Sequence, residues 1–193
     1  MKSDYKNIYL VRHPKVKVPD GICYGISDIS LCAQDLTEAA IKVKSKLKNT
    51  VINACYSSPL SRCFLLAEKL VDSHLITKDE LLREIDFAAW EMMPWNKIPD
   101  KEQQAWGKDF INNKIHGGEN FIDVQKRVVR FWEQLTPQLH KETLLVTHAG
   151  VIRALLAYLL DASTQKIFAI EVDYADVIQI KWFNENYYKV RFL

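Results

Sequence analysis

Five residues spread along the chain, Arg12, His13, Arg62, Glu84 and His148, are of types that together could grip an anion and move a proton. Arg12 and His13 set a cation beside an imidazole, directly after the apolar run Ile8, Tyr9, Leu10 and Val11 and before Pro14. His148 likewise follows an apolar run, Thr143–Thr147, and precedes Ala149-Gly150. Arg62 comes a few residues after a third apolar run that ends at Ser57. Guanidinium forks are natural clamps for phosphate oxygens. An imidazole can attack an electrophile or pass a proton near neutral pH. Two histidines could instead hold zinc, but neighbouring cations repel a dication, and no thiolate or carboxylate stands at ligand spacing. No metal or other cofactor is expected. Arg12, His13 and Arg62 each read equally well as solvated polar groups, and Glu84 reads more readily as one, so the case rests on their coming together.

The elements that must bring them together follow from pattern. Ile8–Val11 reads as a buried strand, stopped by Pro14, which has no N–H for a ladder and biases its predecessor away from helix. Residues Val16–Leu31 form a loop with turns at Pro19-Asp20-Gly21 and at Gly25 beside Tyr24. A loop of that length in a compact fold points to a functional role. Leu36–Leu47 has helical spacing, and Lys42, Lys44, Lys46 and Lys48 lie mostly off its apolar stripe as a solvated face. Val51–Ser57 reads as a second strand. Ser58 is expected to cap the next helix, with Pro59 in its first turn and Arg62 close behind. Ile76–Thr77 suits a short edge strand. The segment Leu81–Trp95 carries Glu84, Asp86 and Glu91 among aromatic residues. An apolar setting keeps a carboxyl protonated, as a general acid requires, but spacing does not choose among the three. Helices are expected from Asp100 to Asn112, from Phe121 to Leu139 and from Val151 to Leu160, with a strand at Thr143–Thr147. A hairpin of Val177–Phe183 and Tyr187–Phe192 closes the chain around Asn184-Glu185-Asn186. The alternation predicts an α/β fold: a three-layer α/β/α sandwich with a mostly parallel central sheet. In such sheets ligands sit at the carboxyl ends of the strands, which is where His13, Arg62 and His148 fall if their strands are neighbours.

With 193 residues, 48% hydrophobic and 26% charged, the chain fits one globular domain over 1–193. A net charge of +2 gives no argument for a nucleic acid or membrane partner. The N-terminal MKSDYKN lacks an apolar signal segment, and Ala154–Leu160 is too short to span a bilayer. Cys23, Cys32, Cys55 and Cys63 are irregularly spaced and read as reduced thiols in a cytoplasmic protein. A homodimer is left open.

The segments LVRHPKV, YSSPLSRC, LLREIDFAAWE, GGENFIDVQKRV and VTHAGVIRALL follow in order the pattern of the histidine phosphatase (phosphoglycerate mutase-like) superfamily, and the resemblance spans Ile8 to about Asp176. Within it, GICYGISDISL and EVDYADVIQI look most like the α-ribazole phosphatases of cobalamin synthesis. Pro14, Asp35 and Ala88 stand where the family often has Gly; none of the three removes a functional group. The resemblance implies a metal-independent phosphomonoesterase. His13 would be the nucleophile, Glu84 the proton donor, and Arg12, Arg62 and His148 the phosphate ligands. Tyr24, Gly25 and the aromatic residues around Trp90–Trp95 would meet the rest of a small phosphomonoester substrate. A phosphoglycerate mutase or broad sugar-phosphate phosphatase is the second reading, and a phosphate-binding module without catalysis the third.

Overall fold

The computed structural model describes residues 5–115 and 117–193. Among them is a six-stranded sheet formed by β1 (Lys6–Arg12), β2 (Ala54–Ser57), β3 (Ile76–Lys78), β4 (Glu142–Thr147), β5 (Val177–Asn184) and β6 (Tyr187–Phe192), in the order β3-β2-β4-β1-β5-β6. The four strands β3, β2, β4 and β1 run parallel, and β5 and β6 add antiparallel at the β1 side. The helices are α1 (Ala33–Leu47), α2 (Ser61–Leu70), α3 (Asp100–Lys108), α4 (Phe121–Leu135) and α5 (Ala149–Leu159).

Why β1 and β4 are apolar throughout follows from their central place. Ile8 and Leu10 point into a core shared with α4 and α5, while Tyr9 and Val11 point into one shared with α1 and α2. Successive side chains of a strand face opposite ways, so a strand covered on both faces must be apolar at every position. This is the expected three-layer sandwich. The connections leaving β1 and β4 run over opposite faces, and a crevice opens at the carboxyl ends of these two neighbours.

Several boundaries differ from the pattern reading. β2 begins at Ala54 instead of Val51. The second helix starts at Ser61, and Ser58 does not cap it. Asp28, from the long loop, accepts hydrogen bonds from the Ser61 N–H and hydroxyl at 2.8 and 2.7 Å, doing from a distance what a local cap would do. α3 ends at Lys108, where the Asp109 carboxylate captures the Asn112 N–H at 3.2 Å and closes a turn instead. α4 opens on a capping box between Asn120 and Asp123. It gives way after Leu135 to a tighter turn at Thr136–Gln138, because Pro137 has no N–H to continue it.

Candidate active site

Register decides the first contact. Arg12 pairs with Thr147 across the parallel β1–β4 ladder, and the His13 N–H donates to the Thr147 carbonyl at 3.0 Å. The next residue on each strand is therefore a histidine, and the two rings meet edge to face with centroids 5.1 Å apart. On the other side of β4, Ser57 pairs with Val146 and the Ser58 N–H donates to the Val146 carbonyl at 3.0 Å. Arg62, one residue into α2, turns inward and is fully buried.

Hydrogen bonds fix the protonation of both rings. His13 Nδ1 lies 2.6 Å from the Pro14 carbonyl, which can only accept, so Nδ1 carries the proton and Nε2 keeps a lone pair. His148 is the opposite case. Arg62 Nε, which can only donate, points at Nδ1 from 3.3 Å, so the proton sits on Nε2 and is given to Ser58 Oγ at 2.8 Å. Burial is the first cause holding His13 well below the usual histidine range, with the Arg62 charge next and Arg12 adding to it. His148 is held down by burial first, then by His13 and Arg62. The Cys63 thiol packs 3.4 Å from His148 Nε2 and is itself pushed up by burial, so it is an inert neighbour.

These shifts carry a sign. A histidine depressed in the folded state binds its proton more readily when unfolded, so its contribution to stability is complete above about pH 6.5 and declines on acidification below that. Chemical denaturation between pH 6.5 and 5 is expected to give stability that falls as pH falls, by about 1 kcal/mol per pH unit for each histidine. His148→Gln should remove about half of that slope. A profile flat across this range would contradict buried neutral rings at both positions.

The two arginines are anchored but not used up. Arg62 donates from Nη1 to the Ser27 carbonyl at 2.7 Å and from Nη2 to the Gly25 carbonyl. Arg12 stacks its guanidinium 3.9 Å above the Tyr174 ring and gives Nη1 to the Val172 carbonyl at 2.7 Å. Its Nε is buried with no partner among the described residues. A guanidinium has five donors, so each arginine keeps some for a ligand, and an orphaned buried donor on Arg12 suits an anion.

Glu84 reaches the crevice from the segment after β3. Its Oε2 accepts from the Gly150 N–H at 3.2 Å, in the first turn of α5, and Oε1 from the Ile85 N–H at 3.1 Å. A Cβ at Gly150 would stand 2.3 Å from Glu84 Oε1, so a side chain there would push the carboxylate out of this place. Glu84 forms part of the wall of a cavity of about 520 Å³ with Tyr24, Phe87, Trp106, Phe110 and Phe168. A larger hollow, about 950 Å³, lies between the ends of α4 and α5 and the β5–β6 hairpin, and none of the five residues lines it. Chemistry, not size, locates the site.

The structure brings Arg12, His13, Arg62 and His148 into direct or near contact and sets Tyr24 and Glu84 on the adjoining cavity. Gly25, expected to meet the substrate, has both of its backbone groups engaged within the fold. Its N–H goes to Glu91 and its carbonyl to Arg62, and it is packed so closely that a Cβ would stand 1.8 Å from the Ile85 carbonyl oxygen. Trp90 and Trp95 are also displaced from that expectation. Trp90 is buried in a small cluster with Cys23, Ile98 and Ile115, against which Trp95 packs, and Phe87 and Trp106 face the cavity in their place. Glu91 was readable only as one of three carboxylates. It accepts from the N–H groups of Gly25, Ile26, Ser27 and Phe87 and from the Ser27 hydroxyl, so it shapes the loop whose carbonyls hold Arg62. Tyr174, the platform under Arg12, had no signal of its own beyond lying in the segment EVDYADV.

A chain with this sheet and this histidine pair at its switch point belongs to the histidine phosphatase superfamily (branch 1), whose family model matches residues 8–192. The fold is phosphoglycerate mutase-like. It superposes on the alpha-ribazole phosphatase from Shigella flexneri with a TM-score of 0.85 and 25% identity, covering 97% of this chain and 95% of that one. The adenosylcobalamin/alpha-ribazole phosphatase of Escherichia coli (strain K12) is 25% identical over 86% of this chain and 85% of its own length. The 2,3-bisphosphoglycerate-dependent phosphoglycerate mutase of Buchnera aphidicola subsp. Cinara cedri (strain Cc) is 26% identical over 94% of this chain and 95% of its own length. Phosphatase and mutase are thus equally distant in sequence, and the substrate has to be argued from the site.

Proposed function

We propose that this protein is a phosphomonoesterase working through a phosphohistidine on His13, with α-ribazole 5′-phosphate as its substrate. The observation that carries the reading is the Nδ1 bond of His13 to the Pro14 carbonyl, which leaves Nε2 bare beside Arg12, Arg62 and His148. In the first step Nε2 attacks phosphorus, a P–N bond forms and the ester P–O bond breaks. Arg12 and Arg62 hold the equatorial oxygens as charge shifts, and His148 joins them by turning its Nε2 proton from Ser58 Oγ to the phosphate. Glu84 gives its proton to the departing alkoxide. In the second step Glu84 takes a proton from water as its oxygen attacks phosphorus, and the P–N bond breaks to return His13 and release phosphate. The positive charge comes from arginine side chains, so no metal is required. Among the described residues no three His, Cys, Asp or Glu side chains gather as ligands for one.

The substrate choice is supported by the wall of the cavity. Phe87, Trp106, Phe110 and Phe168 suit a flat apolar leaving group such as the benzimidazole nucleoside α-ribazole better than a small polar glycerate or sugar. A binding module would have no use for a carboxylate on that cavity, which speaks against the third reading. The same reading has the enzyme in the cytoplasm, acting on a small molecule. No helix among the described residues is long and apolar enough to cross a membrane.

Phosphate release is expected from a panel of α-ribazole 5′-phosphate, 3-phosphoglycerate, glucose 6-phosphate and 4-nitrophenyl phosphate, with and without EDTA. The α-ribazole ester should exceed the sugar and glycerate esters in kcat/KM by about 10- to 200-fold, the range an apolar pocket can supply. Faster interconversion of phosphoglycerates than phosphate release would make it a mutase. Loss of activity in EDTA, restored by zinc or magnesium, would end the metal-free mechanism.

A further inference from the structure

Among the described residues, the Glu84 side chain is held by two backbone N–H groups, one of them its immediate neighbour's, so its place depends on the backbone that carries it. That backbone is gripped by one residue of α4. Arg127 donates from Nη1 to the carbonyls of Leu81 and Arg83, both at 2.7 Å, and from Nη2 to the Glu84 carbonyl at 3.0 Å. Its Nε and Nη2 also form a bidentate pair with Glu119 at 2.7 and 2.9 Å. Those five bonds saturate the five donors of a guanidinium. Glu119 completes the frame: its Oε2 accepts from the Asp86 N–H at 3.1 Å, and its own N–H donates to the Asp86 carbonyl at 2.9 Å. From the opposite side the Thr147 hydroxyl, next to His148, donates to the Leu82 carbonyl at 2.7 Å.

We infer that the Arg127–Glu119 pair is a positioning device for proton transfer, holding residues 81–86 so that the Glu84 carboxyl stays aligned with the ester oxygen. The inference rests on the reading of Glu84 as the proton donor. An ion pair serving stability alone would need no aim. Here every carbonyl that Arg127 engages belongs to Leu81, Arg83 or Glu84 itself. Lysine cannot replace this arginine, because a single ammonium cannot span three carbonyls and a carboxylate at once.

The test uses kcat/KM for ribose 5-phosphate, whose alkoxide needs protonation, and for 4-nitrophenyl phosphate, whose leaving group departs without it. Arg127→Lys should lower turnover of the alkyl ester about 10- to 100-fold, the scale on which a misplaced catalytic group is felt, and turnover of the aryl ester several-fold less. Glu119→Gln should act in the same direction, and it carries the test if Arg127→Lys does not fold. In a Glu84→Gln background, Arg127→Lys should no longer change the ratio between the two esters, because the group it aligns is gone. Equal losses on both esters from Arg127→Lys, alongside a selective loss from Glu84→Gln, would overturn the positioning role alone. Equal losses from Glu84→Gln would overturn the proton-donor reading and the positioning role with it.

Discussion

His13→Ala is expected to abolish turnover and covalent labelling together. A labelled phosphomonoester mixed rapidly with the native enzyme, quenched without acid and mapped by peptide, should place the label in the segment containing His13. None should appear on the segment containing His148. The physical ground is the difference between the two rings. His13 presents an unprotonated Nε2, whereas the His148 Nε2 proton is committed to Ser58 Oγ and its Nδ1 to Arg62. Removing a covalent nucleophile costs about 10⁵- to 10⁶-fold in kcat where the steps act as a unit. His148→Ala should slow turnover while leaving the label on His13. Label on the His148 segment would reverse the assignment, and no label under fast sampling would favour direct attack by water.

Arg62→Met is expected to have the second largest effect, with two separable parts. The first is kinetic: loss of one preorganised donor to the transferring phosphoryl group should lower kcat by about 10²- to 10³-fold. The second is structural, since two buried acceptors, the Gly25 carbonyl and His148 Nδ1, lose their partner, as does the part-buried Ser27 carbonyl. Each buried acceptor left unsatisfied costs about 1–3 kcal/mol, so denaturation should register a loss of about 2–6 kcal/mol. Saturating inorganic phosphate should raise the melting temperature of the native protein and fail to do so for the variant. A variant that kept native turnover would remove Arg62 from the phosphate site and leave it as a buried strut.

What the sequence disclosed and what it withheld divide along a physical line. Arg12, His13 and His148 were legible because each stands where an apolar run ends, and a strand covered on both faces leaves an unbroken hydrophobic trace. The fold class followed from the same traces. The order β3-β2-β4-β1-β5-β6 was not legible, because register and neighbour choice are set by pairings between residues far apart in sequence. Ser58 illustrates the limit. Its sequence context suited a helix cap, yet its hydroxyl serves His148, 90 residues away, and Asp28 does the capping. Glu91 and Arg127 were hidden for the same reason. Their partners are mostly backbone groups of distant loops, which have no sequence signature. Which aromatic residues line the cavity was not legible either, because composition says that aromatics cluster but not which ring faces inward.

The pairing of β1 with β4 also bears on how the protein is made. The first strand finds its neighbours only when Asn7 meets Glu142, 135 residues later, and its other flank waits for β5. At the usual pace of translation that interval is roughly 7–27 s, during which a strand apolar on both faces has emerged without either of its sheet neighbours. Loop-closure entropy of this order also slows refolding from denaturant. His13 and His148 therefore become neighbours only after β4 has been made, so regain of activity reports this long-range pairing and not the first collapse.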